Sequence, residues 1–252
     1  MKFNGSPSDW PPVLLIHGAF AGAWMWEGVF LDSMTKAGWS ALALDRPDQS
    51  DRASGNWGQT SYQSIIRRAV EECATPPILV THSLGALLAQ RLLGRTRISA
   101  LVMLAPVPPE GMLFETPLLF ATQPSLWHGL GNFLNGQRES AFQSMVDIIF
   151  SRHIENAELN RQTAKMVFES PRTVFDAHVP VPVMPAFCIG VPALVIAGAE
   201  DKLISRLASI RTALYHGAEY RNEDKLGHFM HIGPGAQRTA DFIIDWLKRK
   251  GL

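Results

Sequence analysis

The chain has 252 residues, 46% of them hydrophobic and 18% charged, with 23 Lys and Arg against 23 Asp and Glu. A chain this apolar buries a sizeable core, which excludes general disorder, and its length suits one large domain or two small ones. Zero net charge, with no basic run longer than Lys248-Arg249-Lys250, excludes a nucleic-acid footprint and a polybasic membrane patch, and no apolar run approaches the roughly 18 residues of a spanning helix.

From the N-terminus, Met1 to Pro7 lacks the apolar stretch of a signal peptide. Val13–Ile16 is an aliphatic run behind Pro11-Pro12 that stops at His17-Gly18, and Ser40–Leu44 stops at Asp45-Arg46-Pro47. Ile78–Val80 follows Pro76-Pro77 and reaches Thr81-His82-Ser83, while Ala100–Leu104 ends at Ala105-Pro106. Ala193–Ala197 precedes Gly198, and Ala218–Asn222 is a weaker sixth run. Short aliphatic runs bounded by Pro or Gly suit strands buried on both faces of a parallel sheet. Helical patterns alternate with them at Phe30–Ala37, Tyr62–Cys73, Leu84–Leu93, Ile204–Leu214 and Ala236–Lys250. The alternation predicts an α/β fold, a doubly wound and mostly parallel sheet.

One interval breaks the rhythm. About eighty residues after Val107 pass without a convincing strand yet carry Phe114, Leu118, Phe120, Trp127, Phe133, Phe142, Met145, Phe150, Met166 and Phe168. A structureless loop of that length is improbable in a compact chain. The expected organisation is a core of residues 1–106 and 189–252, with 107–188 as a helical cap inserted over the sheet. Cys73 and Cys188 stand apart with no C-x-x-C, so both are read as buried structural residues of a soluble, cytoplasmic protein.

The strongest chemical signal is Val80-Thr81-His82-Ser83-Leu84-Gly85-Ala86 between a strand and a helix. A sharp turn there lifts a serine above the sheet and aims the first helical N–H groups at the reacting oxygen. Small residues are wanted two positions either side of the serine. Gly85 complies and Thr81 does not, so some backbone adjustment is expected at Thr81. His17-Gly18-Ala19-Phe20 follows the first strand, where the N–H of Ala19 pairs with that of Leu84 as an oxyanion hole, and His17 braces the loop. Asp201 follows the fifth strand, where an imidazole-orienting acid belongs; a helix cap near Ser205 is its other reading, and Glu200 is the rival acid. Gly227-His228-Phe229 follows the sixth strand, and the order Ser83, Asp201, His228 makes His228 the base, ahead of His231. A metal on His228-x-x-His231 lacks a third ligand of fitting spacing.

These residues resemble the α/β-hydrolase superfamily over essentially the whole chain apart from the cap. The loop His17-Gly18-Ala19-Phe20-Ala21-Gly22-Ala23-Trp24-Met25-Trp26 is similar to the H-G-A-x-x-G-A-W-x-W loop of the branch that holds plant hydroxynitrile lyases, methyl-ester esterases and bacterial esterases. The resemblance implies Ser83 as nucleophile, His228 as base, Asp201 as acid, an oxyanion hole from Ala19 and Leu84, and an all-protein site with no cofactor and no metal. Lyases of this branch characteristically carry Thr in place of Gly18, Glu in place of His82, and Lys in place of Phe229, so the chain resembles the esterase side. The expected reaction is hydrolysis of a carboxylic ester or lactone of small to medium, hydrophobic character, with Phe20 and Trp127 as substrate contacts. A ligand receptor on a hydrolase scaffold, a lyase or C–C hydrolase, and a perhydrolase with the same triad remain open.

Overall fold

The structure, a computed structural model, describes residues 3–5, 9–45, 58–135, 137–167 and 169–252. Met1, Lys2, Ser6, Pro7, Arg46, Pro47 and Phe168 lie outside the described residues, as do the side chains of Phe133 and Phe142. Among the described residues six strands, β1 (Val13–Ile16), β2 (Ala41–Leu44), β3 (Ile78–His82), β4 (Ala100–Leu104), β5 (Ala193–Gly198) and β6 (Glu219–Glu223), form one sheet in the order β2-β1-β3-β4-β5-β6. Every neighbouring pair is parallel. The chain starts at β1, adds β2 on one side, then crosses back to β3 on the other. The crevice at the C-terminal ends of β1 and β3 is therefore the switch point where α/β sheets place their sites.

Alternation along each strand separates two cores. Val13, Leu15, Val80, Val102 and Ile196 face one layer, filled by Trp26, by Phe30 and Met34 of α1 (Val29–Lys36), and by Ile243, Trp246 and Leu247 of α10 (Ala236–Arg249). Leu14, Ile16, Leu79, Leu101 and Val195 face the other, filled from α2 (Gln59–Glu71), α3 (Leu84–Gln90) and α9 (Arg206–His216). With both faces covered, the four inner strands read as unbroken aliphatic runs. β6 is an edge strand with mostly half-exposed residues, so its pattern is weaker.

Helix ends differ from expectation where distant contacts decide them. α2 starts at Gln59, ahead of Tyr62, because the Gln59 N–H donates to Asp176 Oδ2 (3.3 Å) and its side-chain amide to Thr173 O (3.2 Å). α9 starts at Arg206 because the Ser205 hydroxyl accepts the Ala208 N–H at 3.1 Å, a cap that fixes the helix entry.

Among the described residues, five α-helices lie between β4 and β5: α4 (Glu115–Thr122), α5 (Ser125–Leu134), α6 (Arg138–Ile149), α7 (Asn156–Thr163) and α8 (Pro171–Asp176). Several ties hold this insertion to the sheet. Buried Glu115 accepts the Ser205 N–H (3.2 Å) and pairs with Arg211 (3.1 Å). The Gln90 amide donates to Val107 O (2.9 Å), His216 Nε2 donates to Gln90 Oε1 (3.0 Å), and Ala186 N–H donates to His216 Nδ1 (3.2 Å), pinning both ends of the insertion. Burial lowers the His216 pKa to about 4, which keeps the ring neutral for both bonds.

The expectation of two buried cysteines is corrected. Cys188 is exposed, because the 3-10 turn Ala186–Ile189 turns Ala186 into the core and Cys188 outward. Cys73 is half-buried past the end of α2, its Sγ donating to Ala69 O at 3.2 Å, and neither thiol is in a disulfide. Among the described residues no helix is long and apolar enough to cross a membrane.

Candidate active site

Ser83 joins β3 to α3 with φ 51° and ψ −118°, a left-handed conformation that costs a non-glycine residue about 1–3 kcal/mol. The surroundings over-determine it. Ser83 N–H donates to Leu104 O (3.0 Å), and its carbonyl accepts the N–H groups of Ala86 (3.0 Å) and Val107 (3.2 Å). The turn also requires Gly85, since a Cβ there would stand 2.4 Å from His17 O and 2.8 Å from Ile16 O. The backbone adjustment expected at Thr81 is absent. The ladder passes through Thr81 against Ile16 and Met103, and its hydroxyl donates to Val102 O at 2.8 Å, so the sheet absorbs both its branch and its polarity.

His228 reaches this serine from the loop after β6. Its Nε2 lies 2.8 Å from Ser83 Oγ and its Nδ1 lies 2.9 Å from Asp201 Oδ2. Asp201 Oδ1 accepts the N–H groups of Leu203 (2.8 Å) and Ile204 (2.9 Å), which locks the carboxylate plane. A carboxylate can only accept, so Nδ1 carries the proton and the Nε2 lone pair faces the serine hydroxyl. The side chains of His228 and Asp201 are only 2% and 3% exposed, so water scarcely competes for these bonds.

Two loops are fitted together to bring acid and base into line. Gly198 packs where a Cβ would lie 2.4 Å from Leu226 O, and Glu200 N–H donates to that same carbonyl at 2.9 Å. From the insertion, Ile149 O accepts the Phe229 N–H at 3.1 Å. Glu200, the rival acid, faces the insertion: it accepts the Ser151 hydroxyl (2.6 Å) and pairs with His153 (3.0 Å) and Arg152 (3.2 Å). The Ser151 hydroxyl first, then His153 and Arg152 beside it, holds the Glu200 carboxyl below its ordinary pKa. His231, the rival base, lies against Trp24 and Phe229 with Nε2 3.4 Å from Gln162 Oε1, and burial first, then Lys165, lowers its pKa to about 3. Among the described residues no group of three His, Cys, Asp or Glu could hold a metal ion.

The loop after β1 runs directly against the serine. A Cβ on Gly18 would lie 2.8 Å from both Ser83 Cβ and His82 Nδ1. His17 is wholly buried, bonded through Nδ1 to Gly18 O (2.8 Å) and stacked on Tyr62, whose hydroxyl donates to His17 O (3.2 Å). Neither Ala19 nor Leu84 donates its backbone N–H to another described residue. Phe20, with φ 61°, is held from the insertion: its N–H donates to Glu169 Oε1 (2.9 Å) and its carbonyl accepts the Val167 N–H (3.0 Å). Trp127 is 60% exposed on α5, its ring 4.6 Å from Phe120 and its indole N–H on Phe120 O (3.0 Å). A cavity of about 580 Å³ lies between the end of α6 and the Ala199–Lys202 loop, lined by Asp201 but by neither Ser83 nor His228.

Sequence reasoning missed three supports: Glu169 on the Phe20 N–H, Tyr62 on His17, and His82 on the base loop. The first two are long-range pairs with no local signal. His82 was legible as a polar residue ending a buried strand, which asks for a partner.

A model of the alpha/beta hydrolase family matches residues 13–241. No curated protein matches the chain in sequence. Among solved structures, the chain is similar to an esterase (EaEST) from Exiguobacterium antarcticum, at 17% identity over 98% of this chain and 94% of that one, with a TM-score of 0.76. It is also similar to a putative non-heme bromoperoxidase BpoC from Mycobacterium tuberculosis H37Rv, at 18% identity over 98% and 93%, with a TM-score of 0.74. A third is olei00960, a hydrolase from Oleispira antarctica, at 15% identity over 97% and 93%, with a TM-score of 0.71. At such identities the likeness is one of fold.

Proposed function

Because the chain belongs to the alpha/beta hydrolase family, we propose that it is a serine hydrolase that cleaves a carboxylic ester or lactone through an acyl-enzyme on Ser83. The observation that carries this reading is the unbroken relay from Ser83 Oγ to His228 Nε2 (2.8 Å) and from His228 Nδ1 to Asp201 Oδ2 (2.9 Å). A serine hydroxyl is inert near neutral pH unless a base takes its proton as it attacks. His228 is that base. Asp201, itself held by two backbone N–H groups, keeps the imidazole in the tautomer that can accept, and stabilises the imidazolium once formed.

Attack by Ser83 places negative charge on the former carbonyl oxygen. The N–H groups of Ala19 and Leu84, neither spent on another described residue, receive it. Removing one such donor typically costs a factor on the order of 10² to 10³ in rate. His228 then protonates the departing alcohol, and water repeats the sequence on the acyl-enzyme. The substrate is a small to medium molecule with a hydrophobic group, received by the apolar insertion, with Phe20 and Trp127 as its contacts. The core of residues 1–106 and 189–252 carries the relay and the cap of 107–188 shapes what enters. The site works without a cofactor, in the cytoplasm.

The test is turnover of p-nitrophenyl esters of increasing acyl length by the intact chain and by Ser83→Ala. Turnover of at least one length, abolished in Ser83→Ala, is the expected result. Failure with every length overturns the esterase reading. Peroxide-dependent bromination in its place would move the reaction to perhydrolysis of the same acyl-enzyme.

A further inference from the structure

We propose that His82 is a positioning residue for the base: its Nε2–H donates to the backbone carbonyl of His228 and so fixes where the His228 imidazole stands. The proposal rests on the reading of His228 as base. Nε2 of His82 lies 2.8 Å from His228 O. A carbonyl only accepts, so Nε2 must carry the proton and Nδ1 the lone pair.

Residues 82 and 83 are consecutive at the rigid end of β3, where His82 is in register with Leu104. Together they grip residue 228 at two points. Ser83 Oγ meets its imidazole at 2.8 Å and His82 holds its main chain at 2.8 Å. The hydroxyl, the base and the strand end thereby form one closed ring of covalent and hydrogen bonds. A shift of the residue 228 main chain away from the end of β3 breaks the bond to His82.

The remaining environment fits a donor at Nε2. His82 is 1% exposed, and among the described residues its Nδ1 has no hydrogen-bond partner; it points at Gly18, where a Cβ would lie 2.8 Å away. An orphan buried acceptor is a standing cost that an apolar residue of the same size would avoid, so the residue's use lies at Nε2. Desolvation holds the ring neutral. That neutrality matters, because the His82 and His228 ring centroids are only 4.9 Å apart, and a charged His82 would oppose the imidazolium that forms on His228 during attack.

Isosteres separate the donor from mere packing. In His82→Gln the amide nitrogen stands where Nε2 was and still reaches the carbonyl. In His82→Asn it stands where Nδ1 was and cannot. With a p-nitrophenyl ester, His82→Asn is expected to lose about 10- to 100-fold in kcat with KM little changed, the scale of an ångström-sized misplacement of a catalytic group. His82→Gln is expected to stay within a few-fold of the parent. Equal activity in the two variants, or a loss confined to KM, overturns the proposal.

If His82→Asn does not fold, nitrogen-15 NMR of the intact chain decides. The expected spectrum shows His82 as the Nε2–H tautomer, with its titration displaced below that of an ordinary imidazole; a proton on Nδ1 overturns it. This readout needs no turnover, so it stands even if no p-nitrophenyl ester is cleaved and the hydrolase reading itself fails.

Discussion

Gly85→Ala puts the turn around Ser83 under the most direct strain. Two effects oppose each other. Gly85 is the second residue of α3, and replacing a helical glycine with alanine favours folding by about 0.5–1 kcal/mol. Against that, the new Cβ meets two backbone carbonyl oxygens, His17 at 2.4 Å and Ile16 at 2.8 Å. Neither can swing aside as a side chain would, so β1 and the start of α3 must part by most of an ångström. Overpacking of this kind costs about 1–3 kcal/mol, and against rigid backbone the upper end applies, so the clash outweighs the propensity gain. Thermal unfolding is expected to fall by about 4–8 °C at roughly 2–4 °C per kcal/mol for a chain of this size. The catalytic loss is larger in proportion, because the displaced strand end leads straight into the Ala19 loop. A misplacement of that size costs on the order of 10² in kcat. Calorimetry and ester turnover on the same preparation measure both. Unchanged kcat with unchanged unfolding temperature would refute the close approach of β1 to this turn.

Asp201→Asn keeps the oxygen that accepts from Leu203 and Ile204, so folding is expected to hold. Its amide turns a donor toward Nδ1, forces the other tautomer on His228, and is expected to lower kcat by on the order of 10⁴; activity within tenfold of the parent would contradict the relay. His216 has a folded pKa of about 4 against an ordinary 6.5, so the unfolded chain binds its proton first. Its contribution is intact above pH 6.5 and is lost as pH falls to 4, about 3 kcal/mol in all at 1.36 kcal/mol per unit. Denaturant titrations of His216→Asn across that range are expected to show a shallower acid slope, and an unaltered slope would remove His216 from the account. Ser151→Ala takes from Glu200 the hydroxyl that most lowers its pKa. It is expected to cost about 1 kcal/mol at pH 7, with the gap to the parent closing below the carboxylate range as Glu200 protonates in both; a gap constant down to pH 3 would show that the bond to the carboxylate is not its source.

Most of the sheet was legible in the chain because buried parallel strands leave aliphatic runs such as Val13–Ile16 and Ala100–Leu104, cut off by Pro and Gly. The residues of the relay were legible for a related reason: each follows a strand, where the fold places chemistry. What escaped depends on partners far away in sequence. The start of α2 is set by Asp176, more than a hundred residues on, and Glu169 meets Phe20 across 149 positions. Thr81 was judged by the spacing rule alone, which does not reveal that Val102 O waits for its hydroxyl. Cys188 was judged by residue type, and its exposure follows from the short 3-10 turn that buries Ala186 instead.

Mass spectrometry of the chain after reaction with a fluorophosphonate probes the paired hydroxyl and imidazole most directly. One adduct, on the peptide carrying Ser83 and absent from both Ser83→Ala and His228→Ala, is the predicted result. An adduct on any other residue, or undiminished labelling when the imidazole is removed, would contradict it.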